Sequence, residues 1–289
     1  MQIIEDLKNS LLFIFLLLTG LAGQSQSFIK ASLLDQATNQ PIPFATIKVL
    51  HRPFGAFTND KGNFEVEAFP NDTLLISSIG FVSKKVTGFT DTIFLQSVLK
   101  ELPRVIVTQK RFISTHIFGI KAKADFQWGP SGYGEEFAQK INLNLTDNEY
   151  CQVKKVTLSV KRFSAETPVL LHIYSVDTLT GLPLDELLSK QYFISKEHFR
   201  KERITIDISS EKLYVNDSTI FVSFEWLGYG NVDGITPKSS TKLNMTNEVS
   251  QILTYSRTLR HPSFHWYPAP QINEKVTNTI FQIEVDKLK

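Results

Sequence analysis

The residues of this sequence best suited to chemistry are aromatic, and the chemistry is stacking. Phe264-His265-Trp266-Tyr267-Pro268-Ala269-Pro270 is a Pro-bounded segment of loop composition. Trp128 lies in a Gly-dense stretch, Trp128-Gly129-Pro130-Ser131-Gly132-Tyr133-Gly134, and Tyr229 in Gly228-Tyr229-Gly230, just after a β-prone run. An aromatic plane on a loop offers large contact area at small entropy cost, so it can stack on a sugar or a peptide. Trp128, Tyr229, Trp266 and Tyr267 are therefore the candidate ligand-binding residues. The competing reading is that the rings plug the ends of a β-sandwich, because large aromatics are usually well buried.

Residues for bond-breaking chemistry are present but poorly arranged. Gly129-Pro130-Ser131-Gly132-Tyr133 approaches the Gly-x-Ser-x-Gly elbow of hydrolases, but Tyr133 takes the last Gly position, which points to a structural loop. There is no Gly-x-x-x-x-Gly-Lys-Ser/Thr phosphate loop. Glu135-Glu136 and Asp185-Glu186 are carboxylate pairs of the kind glycoside hydrolysis uses. Neighbours on a strand point to opposite faces, however, so both pairs read as solvated surface. His261 and His265 share a face of an extended segment, yet two imidazoles do not complete a zinc site. His172 lies in an apolar run and reads as a hydrogen-bonded core residue. Asp35, Asn59, Asp60 and Asn63 could offer oxygens to calcium, but turn chemistry is the favoured reading. The expectation is no catalytic residue, no metal, no cofactor, and a protein that is not an enzyme.

The elements that must position these residues are strands. Phe28–Leu34, Phe44–Leu50, Phe64–Ala68, Leu74–Ile79 and Thr92–Leu95 form a first series, with Asn59-Asp60-Lys61-Gly62 as a turn between them. The run Leu74–Ile79 is continuously apolar, as for a strand buried on both faces. A second series follows. Val156, Leu158 and Val160 alternate with polar residues, as do Ile204, Ile206 and Ile208, and Phe281, Ile283 and Val285. Ile220, Val222, Phe224 and Trp226 alternate with Phe221, Ser223 and Glu225, which assigns Trp226 to the core. Val169–Tyr174 is apolar on both parities. Leu184–Leu188 is the one helix candidate, and Lys196–Arg203 a solvated, mixed-charge connection. Period-2 patterning on this scale predicts an antiparallel sandwich or jelly roll.

Composition narrows the class. The chain has 289 residues, enough for two domains, with 42% hydrophobic and 21% charged residues. Thirty-one basic residues against 29 acidic ones give a net charge of +2, which argues against a nucleic-acid partner. The single cysteine, Cys151, excludes a disulfide framework and reads as a small buried hydrophobe. Leu11–Leu18 is an apolar run too short to span a bilayer, and small residues follow it. Residues 1–25 therefore read as a secretory signal peptide, leaving no membrane span in the mature chain.

Three ordered motifs carry a resemblance: Asp35-x-x-Thr38-x-x-Pro41-Ile42-Pro43-Phe44-Ala45-Thr46-Ile47, then Thr58-Asn59-Asp60-Lys61-Gly62-Asn63-Phe64, then Ser77-Ser78-Ile79-Gly80-Phe81. Together they resemble the carboxypeptidase-regulatory-like domain, a transthyretin-like sandwich common in secreted proteins of Bacteroidota. The module accompanies some carboxypeptidases but holds no catalytic residues. It also precedes SusC-type TonB-dependent receptors, for which this chain is too short. The rest of the chain is similar to the C-terminal half of small Bacteroidota proteins that carry the same module. Leu171-His172-Ile173-Tyr174, then Leu184 to Leu188, then Phe221-Val222-Ser223-Phe224-Glu225-Trp226 carry that likeness.

The sequence thus predicts an all-β protein. A transthyretin-like sandwich spans 27–97, a linker 98–112, and a jelly-roll-like sandwich 113–289. The resemblance implies the periplasm or the outer membrane. The expected role is a non-catalytic binding or accessory module for glycan or cell-envelope polymer. The alternative is a docking component with a protein partner in an outer-membrane assembly, and a hydrolase with an unrecognised site is the third reading.

Overall fold

The computed structural model describes residues 28–98, 111–130, 134–164, 168–227, 230–231 and 240–289. The chain is all-β, as its patterning predicts. The signal segment, most of the linker, Ser131 and Tyr229 lie outside the described residues.

The first part contains β1 (Phe28–Asp35), β2 (Thr46–Val49), β3 (Gly55–Phe57), β4 (Asn63–Glu67), β5 (Leu74–Ser77), β6 (Lys84–Val86) and β7 (Thr92–Leu95). One sheet has the order β4-β1-β7, and the other runs β3-β2-β5-β6. Leu33, Ile47, Val66, Leu74, Ile76 and Leu95 fill the core between them. The short β3 and β6 carry too little pattern to be seen in sequence. β5 alternates buried and half-buried residues rather than being enclosed on both faces, which corrects that expectation. Gly62 turns the chain at φ 73°, where a Cβ would lie 2.6 Å from the Leu33 carbonyl oxygen. Asn59 Oδ1 accepts from the amides of Lys61 and Asn63, and Asp35 from Ala37 N and Thr38 Oγ1. Asp35 and Asn59 thus serve turns.

The second part contains β8 (Phe112–Gly119), β9 (Phe126–Trp128), β10 (Glu135–Asn142), β11 (Tyr150–Arg162), β12 (Val169–Val176), β13 (Pro183–Glu186) and β14 (Tyr192–Ile194). After these come β15 (Phe199–Arg200), β16 (Arg203–Asp207), β17 (Tyr214–Val215), β18 (Thr219–Trp226), β19 (Gly230–Asn231) and β20 (Lys242–Thr246). The last four are β21 (Thr254–Thr258), β22 (Tyr267–Pro268), β23 (Asn278–Thr279) and β24 (Phe281–Leu288). A sheet of order β13-β12-β18-β10-β21-β22, with β14 also on β12, packs against a larger sheet built around β11 and β24. Between them lie Phe137, Val156, Leu158, Ile173, Val222, Phe224, Trp226 and Phe281. Trp226 is fully buried, and so is Cys151, whose thiol burial pushes up to about 12.

The expected helix at 184–188 is instead the strand β13. Pairing with β12, which sets Glu186 opposite Tyr174, overrides the local helical pattern.

The two parts share a packed boundary. β19 pairs antiparallel with β3 and extends the first part's sheet. Phe57 and Ile79 belong to the larger core, and the Phe44 ring meets Phe193 edge-on at 4.7 Å. Gln191 Nε2 donates to the Pro43 carbonyl. Lys48, from β2, is fully buried and donates to the carbonyls of Arg52, Phe54 and, across the boundary, Leu259 at 2.8 Å.

Candidate functional site

Four neighbouring strands, β12, β18, β10 and β21, set up the site. Their inner parity is apolar: Phe137, Leu171, Ile173, Val222 and Phe224. Their outer parity carries Glu136, His172, Tyr174, Ser223, Glu225, Tyr255 and Arg257. Cross-strand register then brings the charges together. Glu136 lies opposite Glu225 on one side and Arg257 on the other, and His172 lies opposite Ser223.

The outer groups form one hydrogen-bonded cluster. Arg257 donates from Nε to Glu136 Oε2 at 2.6 Å and from Nη2 to the Tyr174 hydroxyl at 3.0 Å. Tyr174 in turn donates to Glu136 Oε1 at 2.8 Å, and Ser223 donates to the same oxygen. His172 bridges two further carboxylates, Glu186 through Nδ1 at 2.7 Å and Glu225 through Nε2 at 3.0 Å. Glu186 also accepts from the amides of Ile173 and Leu188.

Burial and charge pull these groups in opposite directions. Burial opposes the His172 charge. The Glu136 carboxylate and the bonds from Glu186 and Glu225 outweigh it and raise His172 to about 10. Burial likewise opposes ionisation of Glu136, but the Arg257 and His172 cations hold it below the usual carboxylate range. Glu225 is raised by burial and by the nearby Glu136 charge, against the His172 bond. Tyr174 is pushed well above its ordinary range by burial and by Glu136.

A loop covers the cluster. Between β21 and β22 the chain folds back so that the Arg257 guanidinium carbon sits 4.7 Å from the Phe264 ring centre and 4.3 Å from that of Trp266. Trp266 meets the Tyr174 ring edge-on at 5.9 Å. Phe264 adopts φ 48°, a left-handed conformation rare for an aromatic residue. The base of the loop is Leu259, fully buried, whose carbonyl takes the Lys48 bond. At its far end Tyr267 is 43% exposed, and its hydroxyl meets Ser263 Oγ at 2.8 Å. The His261 ring lies 5.1 Å away.

The structure brings Trp266 and Tyr267 together on this loop and puts Trp128 elsewhere. Trp128, half-buried, packs on the inner side of the sheet, edge-on to Phe137 at 5.8 Å, with Nε1 donating to Glu135 Oε1 at 3.3 Å. Tyr229 lies outside the described residues. His172 is the bonded core residue its surroundings suggest. Glu135-Glu136 do point to opposite faces, but neither is solvated surface: Glu136 is fully buried. Glu186 also turns inward, to His172. The sequence supplies the parity of Glu136 and conceals the cover, because Phe264 and Trp266 come from more than 120 residues away. Among the described residues no group of three or more His, Cys, Asp or Glu could hold a metal ion. Nor is any helix there long and apolar enough to cross a membrane. An open depression of about 520 Å³ lies on β1 and β4, beside Lys30, Ser32, Asn63 and Glu65.

A family model described as the CarboxypepD_reg-like domain matches residues 29–107. This segment is similar to that domain. The sequence motifs at 35–47, 58–64 and 77–81 lie inside it. No curated protein matches the chain. Among solved structures, one from Bacteroides uniformis ATCC 8492, described provisionally as a carbohydrate binding protein, is 12% identical. The alignment covers 91% of this chain and 98% of that one, with a TM-score of 0.23. The T13 particle of infectious bursal disease virus aligns at 8% identity over 90% of this chain and 61% of that chain, TM-score 0.27. The VP2 subviral particle of the same virus gives 9%, 90%, 63% and 0.25. Scores this low decide nothing about function.

Proposed function

We propose that this chain is a non-catalytic binding module. Its CarboxypepD_reg-like domain braces a larger sandwich, and the outer face of the β12-β18-β10-β21 sheet binds a glycan or cell-envelope polymer. One observation carries the reading. Arg257 lies against the rings of Phe264 and Trp266 and is anchored by Glu136, so the Trp266 ring is set in place before any ligand arrives. Preorganised aromatic planes lose little entropy on stacking. Tyr267, Ser263 and His261 supply polar atoms beside them. The acid–base residues argue against hydrolysis as the role of this face. Glu136, Glu225 and His172 are buried and bonded to one another or to their neighbours, with no cleft between them for a scissile bond.

Under this proposal residues 1–25 direct secretion, and the mature chain works in the periplasm or at the outer membrane. Residues 27–97, 98–112 and 113–289 are the brace, the connection and the binding domain.

A second reading, docking on a protein partner, rests on β8. Among the described residues β8 pairs only with β24. It exposes Phe112 at 57%, Ile113 at 44% and Ile117 at 65%, with no charged residue to guard the edge.

Tryptophan fluorescence separates these readings. Titration with polysaccharides and peptidoglycan fragments should give saturable quenching, absent in Trp266→Ala and kept in Trp128→Phe. No response to any polymer moves the assignment to the β8 edge, where Ile117→Lys should abolish partner capture from envelope fractions.

A further inference from the structure

We infer that β8 is a self-association edge whose partner is a second copy of this chain, paired antiparallel about Thr115. This names an occupant for the edge described above and does not rest on the glycan reading. Among the described residues β8 pairs only with β24, which leaves its other edge open. The hydrogen bonds define what that edge offers. Ile120 N donates to the Phe281 carbonyl, and the register runs without a shift from Gly119 opposite Gln282 to Ser114 opposite Lys287. Bonded pairs alternate along an antiparallel ladder, so Phe118, His116 and Ser114 turn their N–H and C=O groups to β24. Thr115 and Ile117 turn theirs outward, and Ile113, next along, has no partner on β24.

The strand is close to its own mirror. Phe112-Ile113-Ser114-Thr115-His116-Ile117-Phe118 reads nearly the same in both directions about Thr115. Set antiparallel against itself, Thr115 faces Thr115 of the second copy, Ile113 faces Ile117, and Ser114 faces His116. The outward backbone groups then fall opposite one another, for about six new ladder bonds. Phe118 packs on the larger core, so alternation puts Ile113, Thr115 and Ile117 on the other face of the strand. The exposed Ile113 and Ile117 of both copies therefore cover one another on either side of the Thr115 pair. Charge does not oppose the contact. β8 holds no Asp, Glu, Lys or Arg. The acids beside it on β24 are engaged, Glu284 by Lys155 at 2.9 Å and Asp286 by Thr115 at 2.7 Å and Lys154 at 3.8 Å. A two-fold pairing also consumes the edge and closes, so it stops at two copies. At about 3.4 Å per residue the strand gives a strip roughly 27 Å long. Such a strip falls short of the ~1,200 Å² of a standard interface, so the dimer should be weak, dissociating in the micromolar range.

Sedimentation velocity of the secreted chain from about 1 to 300 µM, with no polysaccharide present, is the test. The expected result is a reversible monomer–dimer equilibrium. Ile117→Lys puts a charge on the edge and should weaken the dimer by about tenfold or more, with the unfolding midpoint unchanged. Thr115→Cys, which faces its own copy, should oxidise to a disulfide-linked dimer, and Ile113→Cys, set well away from its own copy, should not. Cys151 is buried and does not compete. A monomer at every concentration, with the fold confirmed by circular dichroism, overturns the inference and leaves the edge to a different protein. A dimer that survives Ile117→Lys, or that Thr115→Cys fails to link, uses another surface or register and overturns it too. None of these outcomes involves a polymer, so the glycan reading stands or falls on its own titration.

Discussion

The two faces of the β12-β18-β10-β21 sheet are buried by opposite means. On the inner face Phe137, Ile173, Val222 and Phe224 are sealed by apolar neighbours, and any well-fitting hydrocarbon would serve. On the outer face Glu136, Ser223, Glu225 and His172 are sealed nearly as well, at 6% exposure or less. Each is held because a named partner answers it. Burial alone therefore does not distinguish a core from a built site. What distinguishes them is how much depends on a single atom. An inner methyl lost leaves a small void, whereas an outer charge lost leaves its partner ionised in a place without water.

That contrast predicts unequal costs. Arg257→Met strands Glu136 and should destabilise the protein by about 3–5 kcal/mol. Ile173→Val on the inner face should cost about 0.5–1.5 kcal/mol. Urea unfolding of both variants measures the gap, and equal costs would erase the distinction. Adding Glu136→Leu to Arg257→Met should recover much of the loss, because the ion pair's own desolvation disappears with it.

The next largest effect lies at the domain boundary. Lys48→Met removes the donor to the carbonyls of Arg52, Phe54 and Leu259, and an unsatisfied buried carbonyl costs about 1–3 kcal/mol. Because Leu259 starts the Trp266 loop, this variant should also weaken ligand binding with every loop residue intact. If binding is untouched, the CarboxypepD_reg-like domain is not the brace proposed for it.

The strands were legible because alternation is local. β11, β16, β18 and β24 follow from parity, and so does the burial of Trp226. The loop position of Trp266 was legible, from an aromatic residue between prolines. The ionic cluster was not. Glu136, His172, Glu225 and Arg257 lie on four strands spread over more than 120 residues, and only register makes them neighbours. Parity alone sent Glu136 and Glu186 to solvent, because a loop that folds back over its own sheet leaves no periodic mark. The β13 strand was missed for a related reason. Leu184–Leu188 has a helical pattern, and the pairing that overrides it belongs to β12.

A finer test uses pH, because the boundary and the outer face titrate in opposite senses. Lys48 is lowered by burial from 10.5 to about 8. Between those values the unfolded chain binds the extra proton, so this group adds stability as pH rises. His172 is raised from 6.5 to about 10, so its contribution is full below about 6.5 and is lost as pH climbs through about 10. Between pH 8 and 10 the two oppose each other. Relative to the parent, His172→Asn should lose the falling component and Lys48→Met the rising one, both read from unfolding midpoints across that range. Parallel profiles would mean that neither group titrates in the folded state as its surroundings dictate.

The smallest effect is at Phe264, where strain and contact nearly balance. Its left-handed backbone costs about 1 kcal/mol or more for a residue with a Cβ, and Asn tolerates that conformation better. Its ring over Arg257 returns about 0.5–1 kcal/mol. Phe264→Asn relieves the first and forfeits the second, so global stability should move by less than about 1 kcal/mol. The loop itself should not be indifferent. With the ring gone, Arg257 keeps only the Trp266 and Tyr174 rings beside it, and Trp266 loses the partner that shares the guanidinium. Trypsin cleavage after Arg260 should then accelerate while the unfolding midpoint stays put, because cleavage follows local opening rather than global unfolding. An unchanged cleavage rate would mean that Leu259 at the base and the Tyr267–Ser263 bond at the tip hold the loop unaided. In that case the strain at Phe264 would have no part in presenting Trp266.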